Sequence, residues 1–126
     1  MGRVAVVRAI DGIFLPGGGL EDGESPEEAV AREALEECGL VVRVGARVSR
    51  LVQFVVTAEG LGVEKWCAFF DARIERENRA AMLPGHETLW LGPARAAQIL
   101  KHESQMWAVR DWMMKFHRAP RRGGLS

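Results

Sequence analysis

"LPGGGLEDGESPEEAVAREALEECGL", residues 15–40, is the stretch on which the reading of this chain turns. Ser25 suits an N-cap, Pro26 suits the first helical position, and Glu28, three residues after Ser25, completes a capping box. Gly39 supplies a left-handed stop. These signals predict a helix from Pro26 to about Cys38. At about 100° per residue, Val30, Ala31, Ala34, Leu35 and Cys38 share one face, and Ala29, Glu33, Glu36 and Glu37 share the opposite one. The helix therefore has an apolar back and an acidic front.

Glu27 and Glu28 need no special account, because acids in a first turn face the positive end of the helix dipole. Glu33, Glu36 and Glu37 stand at the wrong end. There the dipole is negative, and neighbours three or four apart repel by a few tenths of a kcal/mol. Either the cluster is a solvated surface with screened charges, or it holds a cation. The preceding "GGGLEDGE", residues 17–24, has four glycines in eight. That is costly in chain entropy and suits backbone that must take positive φ or approach a ligand closely. A main-chain carbonyl exposed there would join the carboxylates as one more hard oxygen donor, the chemistry that magnesium or manganese takes.

Outward from this segment, "RVAVVRA" (3–9) is β-branched and ends at Asp11-Gly12, a turn signal, before "IFLP" resumes extended character. Residues 41–57 predict one long strand or two, with Gly45 marking a bulge. Residues 65–74 predict another strand. A polar loop punctuated by Pro84-Gly85 leads to the short strand "TLWL", and "GPARAAQILK" to a short helix with Pro93 in its first turn. In the last helix Met106, Val109, Met113 and Phe116, with Trp112, form an apolar stripe expected to pack in the core. Trp107 falls off that stripe and is free to stack on a base or to fill a subunit interface. The expected organisation is one domain over residues 1–118 followed by a basic tail, 119–126.

At 126 residues the chain is long enough for one domain with a real core and too short for two. Lys+Arg and Asp+Glu both number 17, so no net charge steers it toward long nucleic acids. No run reaches the roughly 20 apolar residues of a membrane span, and the start lacks a secretion signal, so the expected location is cytoplasmic. Cys38 and Cys67 have neither metal-type spacing nor a disulfide framework.

Taken together, Gly18, Glu24, Arg32, Glu33, Glu36, Glu37, Gly39 and Leu40 resemble the signature box of the Nudix hydrolases. Ala34 stands where that pattern prefers a bulkier aliphatic residue. The resemblance implies an α/β fold, an α/β/α sandwich around a mixed sheet. The usual first N-terminal strand is expected to be absent, so another element or a partner subunit covers the exposed edge or the sheet tolerates the loss. A homodimer is expected. It also implies hydrolysis of a diphosphate linkage in a nucleoside diphosphate derivative. Glu33, Glu36 and Glu37, with the carbonyl of Gly17, would ligate Mg2+ or Mn2+. Glu33 is also the candidate to activate water, and Arg32 would pair with Glu24 to hold the loop.

A further acid from a late loop often completes such sites. Glu87 is the first candidate and Glu103 the second, with His86 and His102 beside them. Subgroups acting on ADP-ribose or diadenosine polyphosphates carry a proline or a tyrosine a short way past the box. Phe54 and Val55 stand there, and the chain has no tyrosine. This favours a nucleoside triphosphate, oxidised ones included, or a nucleotide sugar. Phe54 and Trp66 are the candidate stacking surfaces, unless they are strand core residues. The competing expectation is a nucleotide-binding sensor with little turnover.

Overall fold

The computed structural model describes residues 2–116. The expected basic tail lies outside them. Strands β1 (Val4–Ala9) and β2 (Gly12–Phe14) form a tight hairpin, followed by helix α1 (Pro26–Cys38). Two long strands, β3 (Leu40–Val56) and β4 (Gly62–Glu77), come next. After a single 3-10 turn the chain closes with β5 (Glu87–Leu91), α2 (Pro93–Ile99) and α3 (Glu103–Phe116).

The helix α1 starts and stops where its caps dictate. Ser25 accepts from the Glu28 amide, Glu28 accepts from the Ser25 amide, and Gly39 sits in the left-handed region at φ 67°. In β3 the register shifts between Val44 and Arg47, around Gly45. A Cβ on Gly45 would stand 3.3 Å from the Asp71 carbonyl oxygen, so glycine lets the strands cross closely at the bulge.

Strands β2, β1 and β5 form one sheet in that order, and β3 and β4 form a second. The α/β class is as expected. The strand pairing, expected as a mixed sheet, is antiparallel throughout the described residues. The short turns at Asp11-Gly12 and residues 57–61 are the physical reason for two of these ladders, since tight turns join only antiparallel neighbours. No strand precedes β1 among the described residues, yet β1 is not an edge: it pairs with β2 on one side and β5 on the other.

Alternation along β1 builds the layers. Val6 packs with Ala96, Ala97, Leu100 and Val109 of the α2–α3 side, with Met106 and Met113 against them. Its neighbour Val7 points the other way and packs with Cys38 and Leu40. A strand places successive side chains on opposite faces, so this one sheet is covered by helices on both. The α3 stripe is core, as expected for the side chains described. Among the described residues no helix is long and apolar enough to cross a membrane.

Candidate active site

The acidic front of α1 is covered rather than solvated. Even Ala29, expected among the acids, is buried. The glycine-rich loop folds back over this face, and Arg32 is the fastener. Its guanidinium holds Glu24 bidentately, Nε to Oε2 at 2.7 Å and Nη2 to Oε1 at 3.0 Å. Nη1 reaches Glu33 at 2.6 Å and Glu36 at 3.2 Å, while Nη2 also donates to the Gly19 carbonyl at 3.0 Å. The side chains of Arg32, Glu24 and Glu33 are only 20%, 12% and 13% exposed. The expected Arg32–Glu24 pair is therefore present, but as part of a network of three carboxylates and a main-chain oxygen.

Two further contacts seat the loop. The Gly17 amide donates to Glu37 Oε1 at 2.9 Å, and a Cβ on Gly18 would run into Glu33 Oε2. Gly18 is thus glycine for want of room. A side chain there would push the Glu33 carboxylate from its place beside Arg32.

The electrostatics of the acids differ. The Arg32 hydrogen bonds, helped by the Glu21 amide, hold the Glu24 carboxyl below its ordinary value. Burial pushes Glu33 and Glu37 up; Arg32 opposes this at Glu33, and the Gly17 amide opposes it at Glu37. Two partly desolvated carboxylates whose ionised forms are penalised, with Glu36 beside them, make a donor set that suits a hard divalent cation. Among the described residues no three acidic, histidine or cysteine side chains converge as a ready cage. Arg32 is the cation that Glu33 and Glu36 hold here.

Because an arginine fork serves five oxygens at once and an ammonium cannot, Arg32→Lys is expected to lower kcat/KM by about 10- to 100-fold with the fold retained. Steady-state kinetics beside circular dichroism check this. Unchanged kcat/KM would reduce the network to a surface ion pair.

A cavity of about 480 Å³ opens beside the acids, within the size range of small-molecule sites. Glu37, Gly17 and Gly18 line it, together with Phe14, Gln53, Lys65, Trp66, His86, His102 and Gln105. Glu87 does not. It is the cross-strand partner of Arg8, which donates to it from Nε at 2.9 Å and from Nη2, and both side chains are exposed. Its neighbour His86 turns in instead, with a buried Nδ1 that has no hydrogen-bond partner among the described residues. Glu103 is exposed and outside the cavity lining.

Of the two candidate stacking residues, Trp66 borders the cavity under the Arg50 guanidinium, 4.9 Å away. Phe54 does not border it and is 74% exposed. Neither is strand core, because the face of β3–β4 that carries them has no layer packed over it among the described residues. Sequence reasoning missed Gln53, Lys65 and Gln105. Their only signal was alternation and helical spacing, which mark a face without saying what it meets.

The fold has solved counterparts. A NUDIX hydrolase from Nitrosomonas europaea superposes with a TM-score of 0.71 at 22% identity, covering 90% of this chain and 81% of that one. The E. coli ORF135 protein gives 0.59 at 21%, with the same coverage. A MutT structure, from work on the Aliivibrio salmonicida and Vibrio cholerae proteins, gives 0.54 at 20%, covering 91% and 88%. No curated protein matches the sequence. The NUDIX domain family matches residues 2–113. A capped helix with three glutamates toward its C-terminal end, an arginine-fastened glycine loop and a match that spans nearly the whole chain make this protein a member of the NUDIX family, a pyrophosphohydrolase of nucleoside diphosphate derivatives.

Proposed function

We propose that this hydrolase cleaves a nucleoside triphosphate, oxidised ones included, or a nucleotide sugar, with Mg2+ or Mn2+. The observation that carries this reading is the placement of Glu37, which is held by the loop amide of Gly17 and also lines a cavity of nucleotide size. Family members generally use divalent ions; Glu33, Glu36 and Glu37, with the Gly17 carbonyl, would hold one here. The chemistry such an ion supplies when bound is neutralisation of phosphate charge and activation of water.

The chain's own residues do the rest. Arg32 and Glu24 fix the loop against the helix, so Gly17 and Gly18 present backbone rather than side chain to the phosphates. Glu33, made a stronger base by burial, takes the proton of the attacking water. A cytoplasmic setting belongs to this reading and is supported by two free cysteines. One of them, Cys38, is buried with its thiol pushed up to about 11. So does a homodimer, supported by the apolar side chains of Val52, Phe54 and Val56 that β3 leaves exposed.

The test is a panel of nucleoside triphosphates, ADP-ribose, nucleotide sugars and dinucleoside polyphosphates with Mg2+ and with Mn2+. A nucleoside triphosphate or a nucleotide sugar is expected to be the best substrate. Tight binding without turnover across the panel would make the chain a nucleotide sensor instead.

A further inference from the structure

One face of the outer β3–β4 ribbon is bare. Pairing there runs without a bulge from Arg50↔Ala68 through Val52↔Trp66 and Phe54↔Glu64 to Val56↔Gly62. Alternation sets these residues on one face and Gln53 and Lys65 on the other. The second face is covered: Gln53 Oε1 accepts from the buried Ser104 hydroxyl of α3 at 2.6 Å, and Gln53 and Lys65 both line the active-site cavity. Over the first face nothing packs among the described residues, and Val52, Phe54, Val56 and Trp66 are all exposed.

A two-stranded ribbon is marginal without a layer against it, and a contiguous apolar patch marks a contact surface. The charges on the patch tell which contact. Arg50 and Glu64 are its only charged side chains, one row to either side of Val52–Trp66, the first on β3 and the second on β4. The Arg50 guanidinium lies 4.9 Å from the Trp66 ring centroid, while Glu64 is exposed and makes no ion pair among the described residues. The two charges cancel, so the patch offers nucleic acid or anionic lipid no net attraction. A two-fold axis lying between two such faces, over the Val52–Trp66 row, exchanges the flanking rows. It brings Arg50 of each copy to Glu64 of the other. The patch is complementary to itself, as a two-fold contact requires.

Resting on the homodimer reading above, we infer that two copies join face to face through this ribbon, with Val52, Phe54 and Trp66 at the apolar centre and an Arg50–Glu64 ion pair made twice across the axis. The aromatic side chains carry the affinity, and the ion pairs fix the register. Each pair runs diagonally from β3 of one copy to β4 of the other, so the two ribbons cross at an angle, as packed sheets do. Phe54, which the cavity does not use, has its place here. Gln53 and Lys65 face away from the contact, so each copy keeps its own cavity.

The experiment is sedimentation velocity of the full chain over a dilution series, beside circular dichroism. The wild type is expected to be a dimer that dissociates on dilution. Arg50→Glu and Glu64→Arg each set like charges against one another twice and are expected to weaken dimerisation by about 10- to 100-fold. The double variant reverses both partners and is expected to return to within about threefold of the wild type. Glu64→Arg leaves the Arg50–Trp66 stack in place, so its effect stands should Arg50→Glu fold poorly. Val52→Asp, on the axis, is expected to be monomeric.

A wild type that is monomeric at every concentration overturns the inference and the homodimer together. A dimer unmoved by Glu64→Arg and Val52→Asp overturns this interface and leaves the homodimer standing. Single variants that weaken the dimer without rescue in the double variant overturn the Arg50–Glu64 register. Turnover of the nucleotide panel by Glu64→Arg is expected at the wild-type kcat/KM, which separates the contact from the chemistry. A dimer with the expected charge dependence that hydrolyses nothing on the panel supports the interface and removes the proposed reaction.

Discussion

Glu37→Gln is expected to lower kcat/KM by about 10²- to 10⁴-fold while raising the melting temperature of the metal-free protein. The activity loss follows from removing one charged oxygen donor facing the cavity, where several kcal/mol of charge stabilisation are at stake. The stability gain follows from the opposite side of the same fact. Burial raises the Glu37 pKa above its ordinary 4.5, so the ionised carboxylate disfavours the folded state at neutral pH. Glutamine keeps an oxygen for the Gly17 amide and carries no charge.

The pH dependence has a definite sign. The difference between variant and wild type is full above the folded Glu37 pKa. It closes as pH falls through that value toward 4.5, because the wild type takes up the proton that relieves the cost. Glu24, held down by Arg32, stays charged over this window and loses its stabilising contribution only below it. Thermal melts from pH 8 to 4 check this. A variant less stable than wild type at pH 8 would refute it.

Gly39→Ala is expected to cost about 2–4 kcal/mol of stability. At φ 67° the residue sits where an L side chain is strained. The space is also filled: a Cβ there would stand 2.8 Å from Met82 Cγ and 3.1 Å from the Arg79 Cα. The methionine can turn aside, but the backbone cannot. Gly39 also ties α1 to the chain beyond β4, donating to Leu35 at 3.0 Å and accepting from the Asn78 amide at 2.7 Å. The last turn of α1, with Glu36 and Glu37, hangs from this junction, so activity is expected to fall too. A urea midpoint equal to wild type would show that the junction yields more easily than its geometry implies.

Helix α1 was legible to the residue because caps are local chemistry: Ser25, Pro26, Glu28 and Gly39 act within a turn of one another. Gly45 announced its bulge for the same reason. What stayed hidden depended on partners distant in sequence. Glu87 read as a site acid until its partner Arg8, 79 residues away, was in view. Arg32 read as the partner of Glu24, although its fork also gathers Glu33, Glu36 and Gly19. Phe54 read as stacking or core, because alternation along a strand cannot reveal whether anything covers a given face. Gln105 carried only its helical spacing, since its partner Leu15 lies 90 residues back.

The network around Arg32 changes what loading this protein with metal means. An ion taken up by the proposed ligands Glu33 and Glu36 would find them already held by a cation that cannot diffuse away. Uptake would then be a displacement, and the measured affinity a difference between two attractions rather than the strength of one. Chelation would leave the tethered guanidinium, not water alone, facing both carboxylates.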